Sequence, residues 1–376
     1  MKVLMITPSY SPIIGGTERV VQNLTFKLNE LGICTDILTL NMNQKWRPLW
    51  KEEIHSSDFK LFRVPAINVF QNIKFNPLAF SFGLHIIPKL DFTKYFKSYD
   101  ILHFHDDVDL SFPFFSSFVK KPKVFQCHTI VGNYKFYKTR FLSREVLRKV
   151  ADIYVCVSSE SKKCLSALGI PSSKISIIHN GVDPEKFKPN KASKIDNVIL
   201  QVGRIERQKG LHVLLKSLKY LETPVILKVV GPKSDYRYIH ELMGSNNILK
   251  VGNHTVELLG SVNDQESLIK LYQQASMLVT PSLVEDFPVV NLEALSCETP
   301  VIASMVGGVG DAIENDFNGL LVPPNDPERL AAAIQKLLQN KQLRTKFGEN
   351  GRKVVEEKFS WDSIAKELIT KYEEIC

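Results

Sequence analysis

The stretch from Met277 to Ala303 constrains the fold more than any other part of the chain. Met277-Leu278-Val279-Thr280 is a short apolar run of strand type, and Pro281 opens a turn after it. From Val289 the apolar positions take helical spacing, with Leu292, Leu295 and Ser296 on one face. Pro300 marks the stop, and Val301-Ile302-Ala303 reads as the next buried strand. Strand, loop, helix and strand in that order point to an α/β protein. Two acids occupy marked places. Glu285 falls on the loop at the carboxyl end of the first strand, and Glu293 falls inside the helix, roughly two turns further on. A carboxylate accepts paired hydrogen bonds from neighbouring hydroxyls, and the first N–H groups of a helix favour a phosphate. The arrangement suits a sugar, a ribose and an anion together. Two solvated acids beside an ordinary strand-to-helix loop remain the alternative, and the spacing alone leaves both open.

The amino-terminal end repeats the pattern. Lys2–Thr7 reads as a buried strand, and Val20, Val21, Leu24, Leu28 and Leu31 recur at helical spacing until Gly32. Thr35–Leu40 reads as the next strand. Gly15 and Gly16 stand just before the helix, where glycine lets the backbone approach an anion closely. The loop is not G-x-G-x-x-G, so a dinucleotide-dehydrogenase reading is weak, and a plain glycine turn stays open. Trp46 to Asp58 looks irregular, and Leu78, Phe82, Ile86 and Ile87 fit one helical face. That face reads as core packing in preference to a lipid- or acceptor-facing element. His103-Phe104-His105-Asp106-Asp107 follows a strand expected over Asp100–Phe104. The two histidines share a strand face, which favours a hydrogen-bonded strand end over a metal site lacking a third ligand. His128 closes the strand Lys123–Cys127, and in an open α/β sheet such a position faces the ligand crevice. Pro184–Asp196 reads as a linker. A second α/β unit then starts with the strand Val198–Val202, whose loop carries Arg204 and Lys209. A forked donor and a point charge on one loop suit a diphosphate, although two solvated cations are equally common.

Composition bounds the class. A length of 376 residues suggests two domains, and 44% hydrophobic with 23% charged residues is ordinary for a globular protein. No apolar stretch reaches the roughly 20 residues a membrane helix needs. Met1–Pro8 lacks the apolar region and cleavage site of a signal peptide, so the expected location is cytoplasmic. Six cysteines form no C-x-x-C pair and read as thiols in a reducing compartment. Residues 1–190 hold 26 Lys and Arg against 16 Asp and Glu, whereas the remainder holds 22 against 24. That excess of +10 points to an anionic partner or merely to a soluble surface. No zinc-finger, RNP-like or homeodomain pattern supports nucleic acid.

Glu285-x7-Glu293 with Ala294-Leu295 and Thr299-Pro300-Val301 resembles the signature of family 4 retaining glycosyltransferases of the GT-B fold. The resemblance runs from Met1 to about Tyr372, and includes Gly15-Gly16 followed by Glu18-Arg19, His128, the run His179–Asp183, and Arg204 with Lys209. It implies two facing Rossmann-like domains with a cleft between them. Residues 1–183 would bind the acceptor, with helix 361–376 crossing back, and residues 184–360 would bind a nucleotide-sugar donor. Glu285 would then hold hydroxyls of the donor sugar, Glu293 the ribose, and His128 the sugar from the other side. Arg204 and Lys209, with backbone N–H groups near Gly16, would neutralise the leaving diphosphate in place of a metal, so no cofactor and no metal ligand are expected. Gly15, Phe287, Val289 and Val290 complete the implied donor set. The implied acceptor is a saccharide or a lipid-linked glycan, and the basic first half suggests reversible contact with an anionic membrane surface. Two departures stand out. Pro288 occupies a position where glycine is frequent and removes one N–H, and Asp311 follows Gly307-Gly308 where the family usually has Glu. Two rival readings are an epimerase or hydrolase of the same fold and a non-catalytic partner subunit.

Overall fold

The computed structural model describes residues 1–11, 15–40, 54–55, 58–64, 66–68, 86–88, 93–105, 113, 116, 119–139, 141–262 and 264–376. Asp106, Asp107, Leu78, Phe82 and most of the stretch from Trp46 to Asp58 lie outside the described residues. The chain divides into two compact units, one of Met1–Asn180 with Trp361–Cys376, the other of Gly181–Ser360.

The first unit is built on β1 (Lys2–Thr7), β2 (Cys34–Leu40), β3 (Ile54–His55), β4 (Lys60–Val64), β5 (Ala66–Asn68), β6 (Ile86–Pro88), β7 (Ile101–His105), β8 (Lys123–Cys127), β9 (Ile153–Cys156) and β10 (Ile175–Ile177). Eight of them form a sheet in the order β10-β9-β8-β7-β1-β2-β4-β3. All its pairs are parallel except β3 with β4. β5 and β6 pair separately and antiparallel, so Ile86 and Ile87 lie in a strand and not on the helical face their spacing suggested. Val3 to Ile6 is buried on both faces, as a central parallel strand must be. The helix Gly16–Glu30 covers one face through Val20, Val21, Leu24 and Leu28. The terminal helix Trp361–Glu373 joins the same core through Trp361, Ile364, Ala365, Leu368 and Tyr372, a three-and-four spacing that puts one apolar stripe inward. Strand order reverses between β1 and β7, and in open α/β sheets that crevice takes ligands.

The second unit holds β11 (Val198–Val202), β12 (Ile226–Val230), β13 (Ile248–Val251), β14 (His254–Gly260), β15 (Met277–Thr280), β16 (Val301–Ser304) and β17 (Gly319–Val322) in the order β13-β14-β12-β11-β15-β16-β17. Only the β13–β14 pair is antiparallel. The reversal falls between β11 and β15, so the loops after these two strands lie side by side. Pro184–Asp196 is not a free linker. Phe187 is buried, and its carbonyl accepts from Ser296 Oγ at 2.6 Å and Arg352 Nη1 at 2.9 Å. Asp196 pairs with Arg344 at 2.9 Å. One aromatic among Pro, Lys and Asn is enough to dock the segment onto the second unit.

Candidate functional site

The loop after β11 is shaped by glycine. Gly210 has φ +71°, and a Cβ there would stand 1.9 Å from the Pro281 carbonyl oxygen. That close approach draws the loop onto the one after β15. Leu283 N–H donates to the Gln208 carbonyl at 2.8 Å, and Gln208 Nε2 donates to the Val284 carbonyl at 3.1 Å. From below, Gln201 Nε2 donates to the Lys209 carbonyl at 2.9 Å. Lys209 and Glu285, 76 positions apart, are thereby placed together, with Nζ 2.5 Å from Oε1. Ser282 Oγ donates to the same Oε1 at 2.8 Å. Gly307, at φ +54°, lets the Glu285 backbone pass where any Cβ would collide with its carbonyl oxygen. Arg204 points elsewhere, with a largely exposed side chain 3.1 Å from Glu206 Oε1.

The helix after this loop is Val289–Ser296, with Pro288 as its N-terminal cap. Glu293 is its fifth residue, so the acid lies about one turn inside the helix, and the loop contributes the rest of the distance from Glu285. Glu293 is buried, and its Oε2 accepts from Tyr272 Oη at 2.6 Å. Val289 and Val290, half-buried, supply first-turn N–H groups that lack intrahelical acceptors. Phe287 is buried with its ring 5.7 Å from that of Phe359, which leaves its backbone as the part available to a ligand. Asn291, missed in the sequence, is 1% exposed; it accepts from Thr280 Oγ1 at 3.1 Å while its Nδ2 is buried without a partner.

In the first unit Gly15 caps the helix Gly16–Glu30 in extended conformation, without a side-chain cap. A Cβ on Gly15 would meet Glu18 Oε2 at 2.3 Å, because that carboxylate folds back to accept from Ser9 Oγ. Among the described residues, a Cβ on Gly16 would meet nothing within 4 Å. His128 ends β8 and is 9% exposed. Its Nε2 lies 3.2 Å from Nδ1 of the fully buried His105. His103 is buried too, with its ring tilted 30° to that of His105 and centroids 4.1 Å apart, and joins Tyr372 Oη through Nδ1 at 2.6 Å. Burial pushes His128 down to about 4 and His103 to about 3, the latter aided by repulsion from His128 and opposed by Gln126. His105 is driven well below the usual range by burial and by its two neighbours. Among the described residues no group of three or more His, Cys, Asp and Glu side chains is placed to hold a metal.

The model for "Glycosyl transferases group 1" matches residues 182–354, and that for "Glycosyltransferase Family 4" matches residues 14–186. An uncharacterized glycosyltransferase of Methanocaldococcus jannaschii is 30% identical over 387 residues, covering 100% of this chain and 99% of its own length. The chain belongs to glycosyltransferase family 4. The fold agrees with that membership. A sucrose-phosphate synthase from Thermosynechococcus elongatus superposes with a TM-score of 0.75 at 22% identity, covering 99% of this chain and 98% of its own. An Anabaena protein solved in complex with UDP-glucose superposes with a TM-score of 0.75 at 18% identity and full coverage of both chains. The two Rossmann-like units are those of a GT-B protein.

Within each unit of this family 4 glycosyltransferase the structure sorts the sequence-derived residues. It brings Lys209 to Glu285 and sets the Val289 and Val290 amides at the helix start nearby in sequence. It turns Arg204 toward Glu206 and withdraws the Phe287 ring. Ser282, Tyr272 and His105 touch candidate side chains directly, and Met5 touches His105; none of the four was counted in the donor site from sequence. For His105 a signal existed, since it sits two residues from His103 at a strand end; for the others none did.

Proposed function

We propose that this glycosyltransferase moves a sugar, with retention of anomeric configuration, from a nucleoside diphosphate sugar to a saccharide or lipid-linked acceptor. The observation that carries the reading is the Lys209–Glu285 pair, cation and carboxylate held side by side by two loops at the switch point of the second sheet. An ammonium suits the diphosphate and a carboxylate suits sugar hydroxyls, so a donor spanning the pair would satisfy both. In this proposal Lys209 exchanges Glu285 for phosphate oxygens, helped by Arg204 and the first-turn amides of the Val289–Ser296 helix. They stabilise charge that grows on the leaving group. Glu285 then accepts from the sugar. Tyr272 holds one oxygen of Glu293, and the other accepts from the ribose. His128 meets a sugar hydroxyl, and the amides at Gly15 and Gly16 meet phosphate. The Anabaena protein's UDP-glucose complex supports a nucleotide-sugar donor. Neither cofactor nor metal enters the scheme.

Lys209→Ala should lower the turnover rate about tenfold or more with the fold intact, because the lost donor acts on developing charge. Glu285→Ala should reduce sugar transfer while sparing affinity for the bare nucleoside diphosphate, measured by calorimetry. Glu293→Ala should weaken that affinity, by the roughly 1.5–3 kcal/mol of a charge-assisted bond. Activity should persist in EDTA. Wild-type binding and turnover in all three variants would sink the assignment, and rescue of EDTA-treated protein only by a divalent ion would sink the metal-free part.

The same reading places the protein at an anionic membrane surface through its first unit. No helix among the described residues is long and apolar enough to cross a membrane, so attachment would be peripheral. Phe141 is 62% exposed with Arg144 stacked on its ring at 5.4 Å, and Lys138 lies over Tyr134, a mix of aromatic and cationic side chains that suits an interface. Lys97 and Lys120 are exposed. Lys123 donates to the Val119 and Lys121 carbonyls at 2.7 and 3.0 Å and contributes little. Lys89 lies outside the described residues.

A further inference from the structure

The proposed chemistry uses one of three buried imidazoles and leaves His103 and His105 without a task. The partners of His105 supply one. Met5 Sδ lies 3.1 Å from His105 Nε2. A thioether sulfur has no proton and can only accept, so His105 carries its proton on Nε2. A neutral imidazole has one donor nitrogen and one acceptor, which makes His105 Nδ1 the lone-pair nitrogen. That nitrogen faces His128 Nε2 at 3.2 Å, so His128 must donate from Nε2 and hold its own lone pair on Nδ1. The opposite tautomer of His128 would set two lone pairs against each other at a buried site.

We propose that Met5 and His105 form a positioning relay that locks His128 in the Nε2–H tautomer and makes its Nδ1 an obligatory hydrogen-bond acceptor, selective for a hydroxyl-bearing ligand group. Only the identity of that ligand rests on the function proposed above; the relay itself does not. Geometry favours neutral rings throughout. The His105 and His128 rings lie 19° from coplanar with centroids 5.4 Å apart, the edge-to-edge arrangement an N–H···N bond needs, and the His103 ring lies 4.1 Å from that of His105. Burial also depresses the proton affinity of all three. The order of strands explains the relay: β1, β7 and β8 are neighbours, and Met5, His105 and His128 come from these three strands or their ends. Its chemical consequence is specificity, because an acceptor rejects a ligand whose hydroxyl has been replaced by an ether or a hydrogen.

The test is a long-range proton–nitrogen NMR correlation on the full chain labelled with nitrogen-15 histidine, which separates protonated from lone-pair ring nitrogens. His105 and His128 should both appear as Nε2–H tautomers at about pH 7, near or above the ordinary histidine range. A proton on Nδ1 of His128, or an imidazolium at either ring, overturns the relay. Met5→Leu preserves volume and removes the sulfur acceptor. It should leave the circular dichroism unchanged, shift His105 to a tautomer mixture and carry the His128 signals with it. Unshifted His105 and His128 signals in that variant would also overturn the proposal. The wild-type spectrum decides the tautomers even if Met5→Leu fails to fold. With a nucleotide sugar as donor, Met5→Leu should lower kcat several-fold with little change in KM; an unchanged kcat would remove the relay's functional half. The spectra need no substrate, so a wrong donor assignment and a wrong relay give different results.

Discussion

Histidines 103, 105 and 128 show what a residue pattern conveys and what it withholds. Alternation around Phe104 announced that His103 and His105 share a strand face, and both are indeed buried on one. That His128 would come within hydrogen-bond distance of His105 depends on the pairing of β7 with β8, which no local pattern encodes. The same limit hid Tyr272 beside Glu293 and Ser282 beside Glu285, contacts made by single hydroxyl groups that leave no periodic mark in the sequence. The buried imidazoles also make stability depend on pH. Their folded pKa values are depressed, to about 3 for His103 and about 4 for His128, below the ordinary value of about 6.5. The unfolded chain therefore binds more protons below about pH 6.5, and the stabilisation from keeping these rings neutral is complete only above it. As pH falls from about 6.5 toward 4, each of the two should cost about 1.4 kcal/mol per pH unit. Urea denaturation at about pH 7 and about pH 5.5, a window above most carboxylate titrations, should show that loss. His103→Gln should flatten the slope by one proton. Equal stability at both pH values would mean that the rings are protonated in the folded state or solvated.

Among elements, those with long apolar periodicity were legible and those set by tertiary context were not. β1, β8, β11 and β15 run where their apolar residues do, and the helices that begin at Gly16, Pro327 and Trp361 carry clear inward stripes. The helix Tyr236–Met243 was missed. Tyr, His and Arg dilute its apolar face, and its start is announced only by Asp235 accepting from Tyr238 N–H. β13 was missed as well, since Ile248–Val251 is an edge strand held by antiparallel pairing to β14. The turn Gly203–Gly210 was read as a ligand loop, but not that it is pinned to Pro281. That contact gives a prediction at this scale. Gly210→Ala must strain a left-handed φ and push a methyl group into the Pro281 carbonyl, a combined cost of about 1–3 kcal/mol. It should lower the melting temperature and, by separating the two loops, lower turnover beyond what the lost stability explains. An alanine variant with wild-type melting temperature and turnover would show that the loops are not mutually braced.

At the scale of the whole molecule, charge and fold divide along the same line. The unit of Met1–Asn180 with Trp361–Cys376 holds 26 Lys and Arg against 18 Asp and Glu, whereas Gly181–Ser360 holds 22 of each. The entire excess of +8 thus belongs to the first unit. A sequence shows such a bias at once, because net charge is a sum that needs no folding, yet it cannot show which cations face water; Lys123 turned out to face carbonyls. A chain needing only solubility has no reason to segregate its charge, whereas one that docks one unit on an anionic surface does. Each cation near an anionic bilayer contributes about 1 kcal/mol, and exposed aromatics such as Phe141 add apolar contact. The protein should therefore float with vesicles containing anionic lipid at low salt, stay behind with neutral vesicles, and be released in about 0.5 M salt as the Debye length shrinks. Phe141→Ser should weaken flotation at fixed salt without altering circular dichroism, which separates apolar insertion from attraction between charges. If anionic vesicles fail to carry the wild-type protein even at low salt, the excess is a solubility feature and the acceptor is to be sought in solution.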